Sequence, residues 1–197
     1  QIRMIQRENL DDFSTMIQDS TSVAGNSEWP TDSRLAVKLL HRVLRTGRAL
    51  PRFGLPEMRS YEAERILDKL TTLDRQIDLM KSGKNLAEKR NRRYKRVIAK
   101  GRAACCSVTN ELPMVREALA ALSAPPSRRL RSERVVEQIE RDLQDLVRVL
   151  DNCEARIVEK IKVPAAEKVV STSDPDVAFI VKGQRDAVVG YKPQLAR

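Results

Sequence analysis

Histidine is nearly absent from this sequence: His41 stands alone among 197 residues. Cysteine is scarce too, limited to Cys105, Cys106 and Cys153, with no Cys-x-x-Cys spacing. These two shortages argue against a zinc site, which takes its ligands from clustered Cys and His. Adjacent cysteines do not readily bridge each other, and three cannot all pair. Reduced thiols packed in a helical core, in a cytoplasmic setting, are therefore expected. No run approaches the 18 or so consecutive apolar residues of a membrane-spanning helix. Gln1-Ile2-Arg3-Met4 leads into no apolar stretch of the kind that marks a signal peptide. The sequence does not begin with Met and ends at or just past an apparent strand, so it reads as a piece of a longer reading frame.

What the sequence does hold is positive charge. Lys and Arg number 37 against 27 Asp and Glu, a formal net charge of +10. The distribution is uneven. Residues 1–33 carry Arg3 and Arg7 against Glu8, Asp11, Asp12, Asp19, Glu28 and Asp32. The basic surplus falls on the remainder. An acidic start beside a basic body suits a metal-binding edge next to a polyanion-binding surface; the plainer use of such a surplus is solubility. The densest run is Lys89, Arg90, Arg92, Arg93, Lys95, Arg96, Lys100 and Arg102, with Tyr94 among them. It suits phosphate contact without base specificity. Alternatively it is a solvated face balanced by Glu62, Glu64, Asp74 and Asp78.

Periodicity lays out the rest. Phe13 to Gln18 reads as a short strand closed by Asp19, and Ser22 to Ala24 as the start of a second. Thr31, Asp32 or Ser33 can accept the free N–H groups of a helix that runs to about Arg45, with Gly47 and Pro51 ending it. Asp32 is thus expected to serve as a cap, and His41 to lie at the surface. Residues 57–81 read as helix, with Ile66, Leu70, Leu73, Ile77 and Met80 spaced 4, 3, 4, 3. Residues 86–111 resume helix, Met114 to Leu122 is a short one, and Ala124-Pro125-Pro126-Ser127 is a firm break. Over 130–162, Val136, Ile139, Leu143, Leu146, Leu150, Cys153 and Ile157 form three heptads. Short breaks favour antiparallel neighbours within the chain; a homodimer or other homo-oligomer fits the seam as well. Val177 to Val181 and Ala187 to Gln194 read as two strands joined in a hairpin.

A longer resemblance rests on two boxes. Asp19-Ser20-Thr21, followed by Pro30-Thr31-Asp32-Ser33-Arg34-Leu35, resembles the opening of the catalytic domain in bacterial insertion-sequence transposases of the DDE class. Ser173-Asp174-Pro175-Asp176, then Lys182-Gly183, then Val189-Gly190-Tyr191-Lys192-Pro193-Gln194-Leu195 is similar to the stretch after that family's helical insertion. The resemblance implies an α+β chain, mostly helical, whose incomplete ribonuclease-H-like sheet is split by a long coiled-coil-like insertion. Residues 1–56 would start the catalytic domain, 57–163 would be the insertion, and 164–197 would return to the sheet. It further implies DNA as partner, no membrane, a bacterial cytoplasmic, nucleoid-associated location, and Mg2+ or Mn2+ as cofactor. Asp19 would be the first of three catalytic, metal-holding carboxylates, with the other two beyond Arg197; Asp174, Asp176 and Asp186 are assigned to turns. On that count the chain alone would not catalyse strand transfer. A carboxylate closing a strand is also an ordinary turn-former, and a non-enzymatic coiled-coil DNA-binding or scaffold protein accounts for the heptads and the basic helix without any family.

Overall fold

The computed structural model describes residues 32–80, 85–164, 167–169 and 171, and the backbone of five short strands at 18–20, 23–24, 178–180, 188–191 and 194–196. Helix α1 spans Asp32–Ala49 and buries Leu35, Ala36, Leu39, Leu40, Val43 and Leu44 along one face. Spacings of three and four residues put these side chains in one stripe, which must leave water against other helices. The helix runs through Gly47, where the sequence suggested a stop. Residue 58 crosses there: a Cβ on Gly47 would lie 2.8 Å from Met58 Cε and 2.9 Å from its carbonyl oxygen. The Met58 amide donates to the Gly47 carbonyl at 3.2 Å. Glycine serves this position by letting two backbones approach, not by ending the helix. A 3-10 turn, Leu50–Phe53, follows with Pro51 in its first turn, and Gly54 at φ 80° closes it.

Helix α2 spans Tyr61–Asp78, four residues short of its expected start. Ser60 sets the start by accepting the Ala63 amide on its side chain at 3.2 Å. Ala63, Ile66, Leu70, Leu73 and Ile77 are buried, while Met80 lies beyond the helix. Helix α3 spans Leu86–Thr109, and α4, Leu112–Ala120, restarts at Pro113. Helix α5, Pro126–Cys153, begins earlier than the heptads alone indicate, because proline is well tolerated in a first turn. It ends in a π turn, Glu154–Val158, that takes Ile157 partly out of the seam. The other expected seam residues, Val136 to Cys153, are buried, and Val149 joins them.

The four long helices alternate in direction. Arg34 reaches Asp78, and Arg48 reaches Glu64, so α1 and α2 are antiparallel. Ser60 meets Ser107 and Arg93 meets Gln76, so α2 and α3 are too. Arg156 meets Asp32 and Arg42 meets Asp142, which sets α5 antiparallel to α1 and, because α1 and α3 both oppose α2, antiparallel to α3 as well. In this bundle α1 and α3 each pack against α2 and α5 and so stand on a diagonal. The apolar seams are filled inside one chain, which removes the need for a homodimer to cover them. Helix α1, which falls in the segment 1–56, shares its core with the helices of 57–163. Among the described residues no helix is long and apolar enough to cross a membrane.

The strands pair the two ends of the chain. β1 (Gln18–Ser20) is antiparallel to β5 (Gln194–Ala196), with Asp19 opposite Leu195. β4 (Val188–Tyr191) pairs with both β2 (Val23–Ala24) and β3 (Ala178–Ile180). One sheet was expected. The described pairings instead make a two-stranded and a three-stranded ladder, because β1 and β2 take different partners. Residues 11–17, 172–177 and 181–187, which hold the start of the first expected strand, the Asp174-Pro175-Asp176 turn and the hairpin loop, lie outside the described residues.

Asp142 places a carboxylate within the apolar core, paired with the half-buried Arg42. Asp142 is fully buried and accepts from Arg42 Nε at 2.6 Å, from a second Arg42 nitrogen, and from Gln138 Nε2 at 2.7 Å. A carboxylate there is tolerated only because its oxygens are satisfied. Truncation by Arg42→Ala, which strands the buried charge, is expected to cost about 3–5 kcal/mol. The double change Arg42→Met with Asp142→Leu should recover most of that loss, as read from urea midpoints. Gly47→Ala should cost about 1–3 kcal/mol through overpacking against the Met58 backbone, visible as a lowered melting temperature.

Candidate nucleic-acid interface

Helix α3 carries eight cationic residues against one acid, Glu88. It turns Tyr94, Val97, Ile98, Gly101, Ala104, Cys105 and Val108 inward, so its remaining arc is set by charge. Lys89, Arg90, Arg92, Lys95, Arg96 and Arg102 are exposed, and Arg93 and Lys100 are half-buried. Lys89, Arg93, Arg96 and Lys100, spaced 4, 3, 4, line one stripe about 16 Å long.

Three members of the run are engaged within the bundle. Arg92 holds Glu88 at 3.0 Å one turn back, and Arg93 donates to Gln76 at 3.2 Å. Arg102 bridges Asp151 at 2.8 Å and Glu154 at 2.5 Å, hydrogen bonds that push its guanidinium pKa up. The other five differ. Among the described residues, Lys89, Arg90, Lys95, Arg96 and Lys100 have no carboxylate partner. The acids that could have balanced them are committed to the opposite helix. Asp74 takes Ser33 at 2.6 Å and Arg34 at 3.7 Å, Asp78 takes Arg34, and Glu64 takes Arg48 at 2.7 Å. Of the four, Glu62 alone has no cationic partner among the described residues.

Tyr94 does not join the basic face. It is only 4 % exposed and its hydroxyl meets Ser33 across the bundle, while burial pushes its pKa up. A ring held inside cannot stack on a base. His41 is exposed on α1, as expected. Asp32 lies in the first turn of α1 and accepts from Arg156 Nη1 at 2.8 and 3.1 Å, which occupies it structurally. Asp19 lies in β1 across from Leu195, and its side chain falls outside what is described. Among the described residues no group of three or more His, Cys, Asp or Glu is placed to hold a metal ion.

Sequence reasoning missed the Arg42–Asp142, Arg34–Asp78 and Arg156–Asp32 pairs. One signal was available for the first: Asp142 falls three residues after Ile139 and four before Leu146, inside the apolar stripe. It also misplaced one thiol. Cys105 and Cys153 are buried, but Cys106 is exposed.

No known protein family, curated protein or solved structure matches this chain.

Burial raises the Cys105 thiol to about 11 and pushes Cys153 up further. In the unfolded chain both would ionise near 9. Between these values the folded state holds protons that the unfolded state has lost, so this contribution to stability is full below pH 9 and disappears as pH rises towards 11. The melting temperature should therefore fall from pH 9 upward, and fall less steeply in Cys105→Ala. At pH 7.5 a thiol alkylator should mark Cys106 alone in the native chain and all three cysteines in denaturant, as counted by mass spectrometry.

Proposed function

We propose that this chain binds duplex DNA through the outward face of α3, as part of a transposase of the DDE class. The observation that carries the reading is the set of five cations, Lys89, Arg90, Lys95, Arg96 and Lys100, on one helix with no carboxylate partner among the described residues. Cations left unneutralised by their own fold are the groups that release counterions from DNA and gain affinity by doing so. Lysines and arginines at helical spacing touch phosphates and carry no base code.

The transposase part of the reading draws on the two boxes and on their pairing. Asp19 and Ser20 of the first box lie opposite Leu195 and Gln194 of the second. A ribonuclease-H-like sheet built from both ends of the chain, with the bundle between them, belongs to this proposal. So do Mg2+ or Mn2+ and the role of Asp19 as a metal-holding carboxylate. Two-metal phosphoryl transfer needs several oxygen ligands. Asp19 by itself does not make such a site, and it accounts for no cleavage step alone. A second reading, DNA binding or scaffolding without catalysis, is favoured by the bundle having a core of its own.

Affinity for a duplex should fall steeply between 50 and 200 mM salt. In the triple variant Lys95→Gln, Arg96→Gln, Lys100→Gln, the slope of log K against log salt should become shallower by about 2 to 3. Fluorescence anisotropy reads both, and a slope that the triple variant leaves unchanged would remove this face from DNA. Cleavage in Mg2+ or Mn2+ that Asp19→Ala abolishes would decide for the transposase; binding without cleavage is what both readings expect of this chain alone, since Asp19 lacks the two further carboxylates.

A further inference from the structure

A second cationic cluster lies at the other end of the bundle. Arg45 projects from the outer face of α1, Arg52 from the 3-10 turn, and Arg128 and Arg131 from the first turns of α5; all four are exposed. Among the described residues none of them has a carboxylate partner. The fold draws the start of α5 and the 3-10 turn together. Ser132 Oγ donates to the Phe53 carbonyl at 2.9 Å, tying the start of α5 to the 3-10 turn. A Cβ built on Gly54 would lie 3.4 Å from Arg128 Nη2, so that guanidinium lies over the turn that carries Arg52.

We propose that this cluster is a second DNA-backbone surface, so that one bundle holds two duplex segments at once. The proposal rests on the reading of α3 as a DNA-binding face. Its ground is position. Helices α1 and α3 are diagonal partners, so the outer face of α1, which carries Arg45, points away from that of α3 across a bundle roughly 20 Å thick. The two surfaces are also offset along the axis: the α3 stripe is level with the first half of α1, where Arg34 meets Asp78, whereas Arg52 and Arg128 lie past its last turn. Between them stands α2, with five acids against three bases. DNA with a persistence length of about 150 bp does not fold back over so short a distance. Each face therefore takes its own segment.

The test is a bridging assay with the full chain. A 20-bp duplex is fixed to beads, the protein is bound, and a second, fluorescent duplex is added at low salt. The wild type is expected to retain the second duplex. The variant Arg45→Gln, Arg52→Gln, Arg128→Gln, Arg131→Gln should still load on the beads but capture about tenfold less. Arg128→Gln with Arg131→Gln alone should give an intermediate loss. That pair serves as the second measurement should circular dichroism show the fourfold variant misfolded. Wild type that loads the beads and captures nothing overturns the second surface and leaves the α3 reading standing. Capture that survives in the folded variant also overturns it, and light scattering would then show a dimer using two α3 faces. Failure to load the beads at all is failure of DNA binding itself.

Discussion

Leu39, Leu40, Leu70, Leu146 and Leu150 exclude water from one another at the centre of four antiparallel helices. Each such side chain contributes about 1.5–3 kcal/mol by leaving water. This burial fixes which helix stands beside which, and the electrostatics follow from that order. With α1 and α3 on a diagonal, the two helices with a net positive charge do not stand side by side. The more acidic α2 and the charge-balanced α5 fill the gaps between them. An arrangement with α1 beside α3 would have set Arg34, Lys38 and Arg42 against the densest basic run in the chain.

Packing order also decides which charges are spent. Asp74, Asp78 and Glu64 face α1 and are taken by Ser33, Arg34 and Arg48. Asp142 faces it from the other side and is taken by Arg42. The arginines of α1 are thus largely neutralised where it meets α2 and α5, while α3 meets its carboxylates mainly at its own ends, through Glu88 at one and Asp151 with Glu154 at the other. What remains on the middle of α3 is net positive charge facing outward. Exposed ion pairs of this kind add little to stability, so the imbalance is tolerated by the fold without being required by it.

Much of the bundle was legible before any coordinates. Ile66 to Ile77 and Val136 to Cys153 are buried in the register that their heptads indicated, and the break at Pro125 holds, because apolar periodicity and proline act locally. What escaped was non-local. Gly47 reads as a helix stop until Met58, eleven residues later, is seen crossing over it. Arg42 and Asp142 are a hundred residues apart, and no local pattern announces that they meet. Tyr94 lies among cations in sequence but on the inner arc of its helix. For the candidate site, the run of cations was plain, yet which of them keep a free charge depended on which acids the neighbouring helices direct elsewhere.

The ion pair between Asp32 and Arg156 joins the first turn of α1 to the π turn that ends α5. The chain thus comes into the bundle and leaves it side by side. A module whose two attachment points nearly coincide can be spliced into a surface loop of another protein without prying that loop apart. Its host needs to accommodate only a narrow gap, whatever the length of the guest.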